Sequence, residues 1–413
     1  MEKELVNEIH DFLKNYGNYA DQYMLDYYID EQWSSIPEEW QNFFESKKDN
    51  IQDVALYLLD FDNNKLDKEA PITLRKMKND MKHVFDKLFT VDCGAGIGHL
   101  SRILAYFFKD HINIEVSTVE GNDKFVDQSI KLDQIFENKL KYMGQEIPNF
   151  KIQRISKLVS DKNSLINEND SNKNLILGLH TCGDFASTLI KHFSLNSNAT
   201  ALVNVGCCYH KLNNGNDMEY RQIYDNNIDS INENYNYPMS NEKNIFPNLS
   251  YAARELACHG LKQFKEKLNT KVDLLSSFKI NLFRAKLEYL IFSITNNKKY
   301  RHLGLRSVSY TDTLLFEEYI EKALIFHEEI KDKINLFKNQ NYENYKNMID
   351  ININDIWKIF ILYVIRLSIA PMIEIVILLD RIIYLKEHGH NSYLIDLFDS
   401  SISPRCYAIV SLK

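Results

Sequence analysis

A short apolar strand that runs into three alternate glycines constrains this chain more than any other feature. Leu88-Phe89-Thr90-Val91-Asp92 ends on an acid, and Cys93-Gly94-Ala95-Gly96-Ile97-Gly98 leads into an amphipathic stretch from His99 to Lys109. Glycines permit backbone conformations, and a closeness of approach to a ligand, that a Cβ would block. A strand, a tight glycine turn and a helix in that order predict one edge of an open α/β sheet, where ligands bind outside the carboxyl ends of the strands. The spacing Gly94-x-Gly96-x-Gly98 is not the G-x-G-x-x-G whose helix N-terminus holds a dinucleotide pyrophosphate.

The next strand supplies a second acid. Asn113 to Glu120 alternates with period two, is rich in β-branched residues and ends on Glu120, followed by Gly121 and Asn122. A carboxylate there suits two ribose hydroxyls, and Gly121 and Asn122 leave room for an adenosine. For a ligand without a phosphate, an acid just before the first glycine is tolerable, and Asp92 can help orient a methionine end. The expected cofactor is therefore S-adenosyl-L-methionine, held by Asp92, Gly94, Ala95, Gly96, Gly98, Glu120, Gly121 and Asn122, with His180 available to shape the methionine end.

The rest of the chain fits around that core. Residues 1 to 86 carry apolar residues at three- and four-residue spacing, and Pro37 followed by two acids reads as a helix start. Phe150 to Ile155, Leu175 to Leu179 and Ala201 to Val205 read as further strands, the last two apolar enough to be buried on both faces of a parallel sheet. Tyr393 to Phe398 and Cys406 to Leu412 read as an antiparallel terminal hairpin around Ser403-Pro404-Arg405. Alternating strands and helices predict a doubly wound α/β layer. Asn-rich stretches, Ser160 to Asn174 and Asn213 to Pro247, read as flexible surface insertions, with a lid as the other reading of the second. The expected organisation is a helical region over 1–86, the cofactor half of the core over 87–212, a flexible insertion over 213–247, a helical substrate region over 248–370, and the last helix and hairpin over 371–413.

Composition narrows the partners. Against 57 Asp plus Glu stand 49 Lys plus Arg, a net charge of −8, so the chain as a whole lacks the basic excess of a nucleic-acid clamp. The clearest local basic run is Asn296 to His302 with Arg306, which could touch phosphates and stack Tyr300 on a base, or could be a solvated helix end. Arg254 and His259 could face a substrate, although core helix positions suit them better. Six dispersed cysteines and an acidic start at Met1 to Leu5 fit reduced thiols in the cytoplasm or nucleus. Ile359 to Leu379 is interrupted by Arg366, Pro371 and Glu374, and it reads as two buried helices meeting near Pro371, with no membrane partner.

Two strand ends carry the candidate reaction chemistry: His180, Cys182 and Asp184 after the fourth strand, and Cys207, Cys208 and His210 after the fifth. His180 or Asp184 could serve as general base. A cysteine could add to a cytosine ring, as in cytosine-5 RNA methylases, although no proline precedes the first cysteine. Cys182, Cys207, Cys208 and His210 offer soft metal ligands in an awkward arrangement for tetrahedral zinc, and no metal is expected. Small residues that simply let the strand ends pack are the fourth reading. The catalytic candidates are His180, Asp184, Cys207, Cys208 and His210.

In the segments Asp92 to Arg102, Gly178-Leu179-His180-Thr181-Cys182-Gly183-Asp184 and Val205 to Leu212 the chain resembles the methyltransferase-like protein 25 family. Trp33 to Trp40, Ala370-Pro371 with Glu374 and Asp380-Arg381, and Ser403-Pro404-Arg405 extend the likeness. The resemblance implies a class I methyltransferase fold, a doubly wound seven-stranded, mostly parallel sheet with a helical insertion before its last helix and terminal hairpin. It also implies transfer of a methyl group to RNA or protein. The chain departs from the family at Ile97, where a lysine is expected. Family members include a ribosomal RNA adenine dimethylase domain-containing protein, but this sequence has no Pro-Pro pair anywhere. The Asn/Asp-Pro-Pro-aromatic motif of base-amine methylases is therefore missing. The rival reading is a non-catalytic scaffold of the same fold that still holds the cofactor.

Overall fold

A computed structural model describes residues 2–86, 117–120, 153–156, 174–214, 236–270, 274–297 and 300–413, apart from 304, 310, 312 and 353, with short helical pieces between 131 and 143. The glycine loop from Asp92 to Gly98, with Gly121 and Asn122, lies outside the described residues. Of Glu120 only the backbone is described.

The chain divides into two compact units. One comprises 1–90, 208–383 and 400–405; the other comprises 91–207, 384–399 and 406–413. The first is helical, and its N-terminal part contains α1 (Glu2–Asp21), α2 (Glu38–Ser46), α3 (Ile51–Leu59) and α4 (Ile72–Asp86). Val6, Ile9 and Phe12 of α1 are buried at helical spacing, and α1 packs on α4. Glu38 and Glu39 occupy the first turn of α2, where acids complement the helix dipole, and the Trp40 indole donates to Thr73 Oγ1 at 2.7 Å.

The second unit holds the strands. β1 (Ser117–Glu120) pairs in parallel with β2 (Gln153–Ser156). β3 (Asn174–Cys182) leads through α5 (Asp184–Leu195) to β4 (Ala199–Cys207), parallel to it. Six of the seven expected strands are thus found, and the one ending at Asp92 lies outside the described residues. Among the described residues the larger sheet has four strands in the order β3-β4-β6-β5, with β5 (Asn391–Asp396) and β6 (Tyr407–Leu412). This sheet is mixed, not mostly parallel. The terminal hairpin inserts its last strand against β4, so β6 runs antiparallel to both neighbours. Burial on both faces is met by β4, where Leu202, Asn204 and Val205 are all buried. β3 departs from the expectation: it is an outer strand of the described sheet, and Leu175 and Leu177 are exposed while Ile176 is buried.

Among the described residues, β4 is followed by the shorter helices α6 (Tyr251–Leu256), α7 (Leu261–Thr270), α8 (Leu274–Ser277), α9 (Lys279–Thr295), α10 (Phe316–Ala323) and α11 (Glu328–Gln340). Then α12 (Tyr342–Ile349) precedes α13 (Asp355–Glu387), a single helix of 33 residues. The expected break at Pro371 does not occur, because the ring sits inside a helix whose flanks, Ile369, Ala370, Met372 and Ile373, are all buried. Tertiary packing there outweighs the lost hydrogen bond. By length and composition α13 could cross a membrane, but 89% of its most apolar window is buried inside the structure.

Two loop readings also change. The described end of the Asn-rich stretch is not a flexible surface segment. Tyr237, Ser240 and Phe246 are buried, and Asn213 Oδ1 accepts the backbone N–H groups of Asn236 and Tyr237 at 2.8 and 3.0 Å. Nor is the basic run a phosphate contact at its C-terminal end. Buried Arg301 donates to Asp26 at 2.5 Å and lies 3.3 Å from Glu288, while His302 Nε2 sits 2.7 Å from Asp26. Low-dielectric surroundings oblige a buried guanidinium to take carboxylate partners.

Candidate functional site

The carboxyl ends of β3 and β4 are shaped by one irregularity. From Leu175↔Ala201 their register runs evenly to Leu179↔Val205, slips, and resumes at Thr181↔Gly206 and Cys182↔Cys207. His180 is the residue at the slip, with φ +70, and the bulge turns it to the exposed face. Thr181 turns inward, where its hydroxyl donates to Val205 O at 3.1 Å and accepts from Asn204 Nδ2 at 3.0 Å. Tight packing enforces this. A Cβ at Gly178 would stand 2.7 Å from Thr181 Cγ2 and 2.8 Å from both Asn204 Nδ2 and Leu189 Cδ1.

Gly183, at φ +54, turns the chain into α5 and donates its N–H to Cys207 O at 2.9 Å. Asp184 therefore enters the first turn of α5, two residues past the strand end. The structure thus brings together His180, Cys182, Asp184 and Cys207 at one sheet edge. The Cys182 and Cys207 Sγ atoms are 3.1 Å apart, and Cys182 Sγ donates to His180 O at 3.4 Å.

Cys208 and His210 fall in the other unit, whose boundary lies between Cys207 and Cys208. The His210 Nδ1 partner is Cys258 Sγ at 3.6 Å, and its ring lies 5.8 Å from that of Tyr251. Burial pushes the Cys258 thiol up to about 11, so it stays neutral. Nothing in the sequence spacing pointed to Cys258 as the neighbour of His210.

Sequence reasoning also gave no role to a buried polar group in this unit. Tyr209 OH donates to Glu374 at 2.8 Å, and the Arg381 guanidinium lies 5.9 Å from the Tyr209 ring centre. Asp380 accepts the Met239 and Ser240 N–H groups at 2.7 and 3.0 Å, and Arg405 donates to Ala257 O at 3.3 Å. Desolvation raises the Glu374 carboxyl to about 7, with Arg405 and the Tyr209 hydrogen bond pulling it back. It raises Asp380 to about 6, opposed by the two backbone donors. These are the motif residues Glu374, Asp380-Arg381 and Ser403-Pro404-Arg405, gathered around helix α13. Arg254 is likewise a core residue, donating to Leu212 O, and His259 Nε2 sits 2.9 Å from Glu255.

β1 ends on an acid in a two-stranded parallel sheet, and β3 and β4 of the four-stranded sheet carry a histidine and an acid about their carboxyl ends, the ends at which ligands bind in open α/β folds. Residues 72–215 match the family described as "Methyltransferase domain", and this stretch contains β1 to β4 and the edge residues just described. The chain is similar to the "Probable methyltransferase-like protein 25" of Mus musculus, 31% identical over 247 residues, which is 58% of this chain and 37% of the relative. The Homo sapiens protein of the same description is 31% identical over 249 residues, again 58% and 37%. The likeness to the methyltransferase-like protein 25 family carried by the sequence motifs is thus shown, and the chain spans little more than a third of the length of these curated relatives. No solved structure matches.

Proposed function

We propose that this chain transfers the methyl group of S-adenosyl-L-methionine to RNA or protein. The observation that carries the proposal is the methyltransferase-domain match over 72–215, which runs through the strand that ends in Glu120 and through β3, where His180 lies two residues before the strand end and Asp184 opens the following helix. Glu120 closes a strand parallel to its neighbour, which supports a role for its carboxylate in accepting hydrogen bonds from the ribose hydroxyls of the cofactor. Asp92, Gly94, Ala95, Gly96 and Gly98 with Gly121 and Asn122 would complete its cradle. The cofactor supplies an electrophilic methyl group on a sulfonium.

The chain's own part is to orient the acceptor and take its proton. His180, turned outward by the bulge at the end of β3, and Asp184, at the start of α5, are the groups proposed for that task. Cys207 is packed against Cys182, and His210 against Cys258, so base catalysis is favoured over attack by a thiolate.

The test is transfer of labelled methyl groups into fractionated RNA and protein by wild type, Glu120→Ala and His180→Ala. Label entering one fraction with wild type, and lost with Glu120→Ala, supports the reading and assigns the acceptor class. Label in neither fraction, with no heat of binding for S-adenosyl-L-methionine by titration calorimetry, refutes it. Binding without transfer favours the scaffold reading.

A further inference from the structure

Cys182 and Cys207 end two parallel strands side by side. They are register partners, their Sγ atoms stand 3.1 Å apart, and neither is in a disulfide. The pair is fastened on both sides. Asn204 to Thr181 to Val205 ties the strands before it, and the Gly183 N–H to Cys207 O bond ties them after it. Neighbouring strands run about 4.8 Å apart, inside the range of about 4.4–6.8 Å that a disulfide requires between Cα atoms, so the strand spacing permits a bridge. Access is unequal: Cys182 is exposed, while Cys207 is 7% exposed. One thiol meets solvent and its neighbour waits behind it, which is the arrangement of a sensing and a resolving cysteine.

We propose that Cys182 and Cys207 form a reversible intramolecular disulfide, with a hydroperoxide as oxidant. This modification site goes beyond the methyl-transfer reading and does not depend on it. The Cys182 thiolate attacks one peroxide oxygen. The O–O bond breaks, hydroxide leaves and is protonated to water, and Cys182 becomes a sulfenic acid. The Cys207 sulfur then attacks the Cys182 sulfur. The S–O bond breaks, the S–S bond forms, and hydroxide departs with the Cys207 proton as a second water. Two thiols and hydrogen peroxide thus give one disulfide and two waters. Two equivalents of a monothiol reverse the bridge through a mixed disulfide. Oxidation also removes the thiol hydrogen bond that Cys182 gives to His180 O, so the carbonyl beside the bulge loses a donor.

The test treats the reduced full chain with hydrogen peroxide, blocks remaining thiols with N-ethylmaleimide and reads tryptic peptides by mass spectrometry. Cleavage at lysine puts Cys182 in the fragment 174–191 and Cys207 with Cys208 in 192–211. Wild type and Cys208→Ser should both yield a 174–191/192–211 pair, two hydrogens lighter than the sum of its parts and separated by dithiothreitol. Cys182→Ser and Cys207→Ser should lose it. In Cys207→Ser, Cys182 should stop at the sulfenic acid and be captured by dimedone. Cys182 is exposed, so its serine variant tests the bridge without touching the core. The proposal is overturned if wild-type Cys182 proceeds to sulfinic acid with no cross-link. It is equally overturned if the cross-link survives Cys207→Ser and disappears in Cys208→Ser.

Discussion

Replacing Glu374 by glutamine should make the protein more stable at neutral and alkaline pH. The carboxyl lies in the middle of α13, buried, with the Tyr209 hydroxyl on Oε1 at 2.8 Å. Desolvation lifts it from 4.5 to about 7. A raised acid binds its proton more tightly folded than unfolded, so its contribution is whole below about 4.5 and is lost as pH rises through about 7. At about 1.4 kcal/mol per pH unit, the full loss is about 3 kcal/mol. A glutamine amide keeps an oxygen for Tyr209 and carries no charge to bury. Urea unfolding of wild type and Glu374→Gln at several pH values measures the difference directly, and the other titrating groups, Asp380 included, cancel in it. The variant should gain about 2–3 kcal/mol on wild type between pH 5 and pH 8. A difference that stays level across that range, to within about 0.5 kcal/mol, would show that Glu374 is ionised at little cost and refute the reasoning.

Gly178→Ala should cost about 1–3 kcal/mol by overpacking, because the added methyl meets Thr181, Asn204 and Leu189 at under 3 Å; thermal unfolding followed by circular dichroism checks it. Removing Arg301 by alanine strands buried Asp26 and Glu288 and should cost about 3–5 kcal/mol, read as a lower urea midpoint; a loss below about 1 kcal/mol would mean that His302 alone satisfies them. Glu120→Ala should weaken S-adenosyl-L-methionine binding by about 1–3 kcal/mol, the worth of hydrogen bonds to a charged group, with calorimetric titration as the measurement and unchanged affinity as the contrary result.

What the sequence determined by itself is local. Period-two runs and short apolar stretches placed β1, β3, β4, β5 and β6 near their observed positions, and Phe150 to Ile155 anticipated β2 at Gln153–Ser156 within a few residues. Acid-first turns and three- to four-residue spacing marked the N-terminal helices. Such signals live within a dozen residues, because backbone conformation and the side of a strand or helix that faces inward repeat at fixed short periods. The acid- and histidine-bearing strand ends were legible for the same reason.

Only the tertiary structure decided which distant groups meet. Tyr209 and Glu374 are separated by 165 positions, and Arg301 and Asp26 by 275, and no periodicity links them. That Cys182 faces Cys207 while His210 faces Cys258 depends on one slipped residue in a parallel register and on the start of a different unit at Cys208. The continuous helix through Pro371 is the same lesson in reverse. Local chemistry forecasts a break there, and burial along both flanks overrides it, since packing free energy summed over a long helix exceeds the loss of one backbone hydrogen bond.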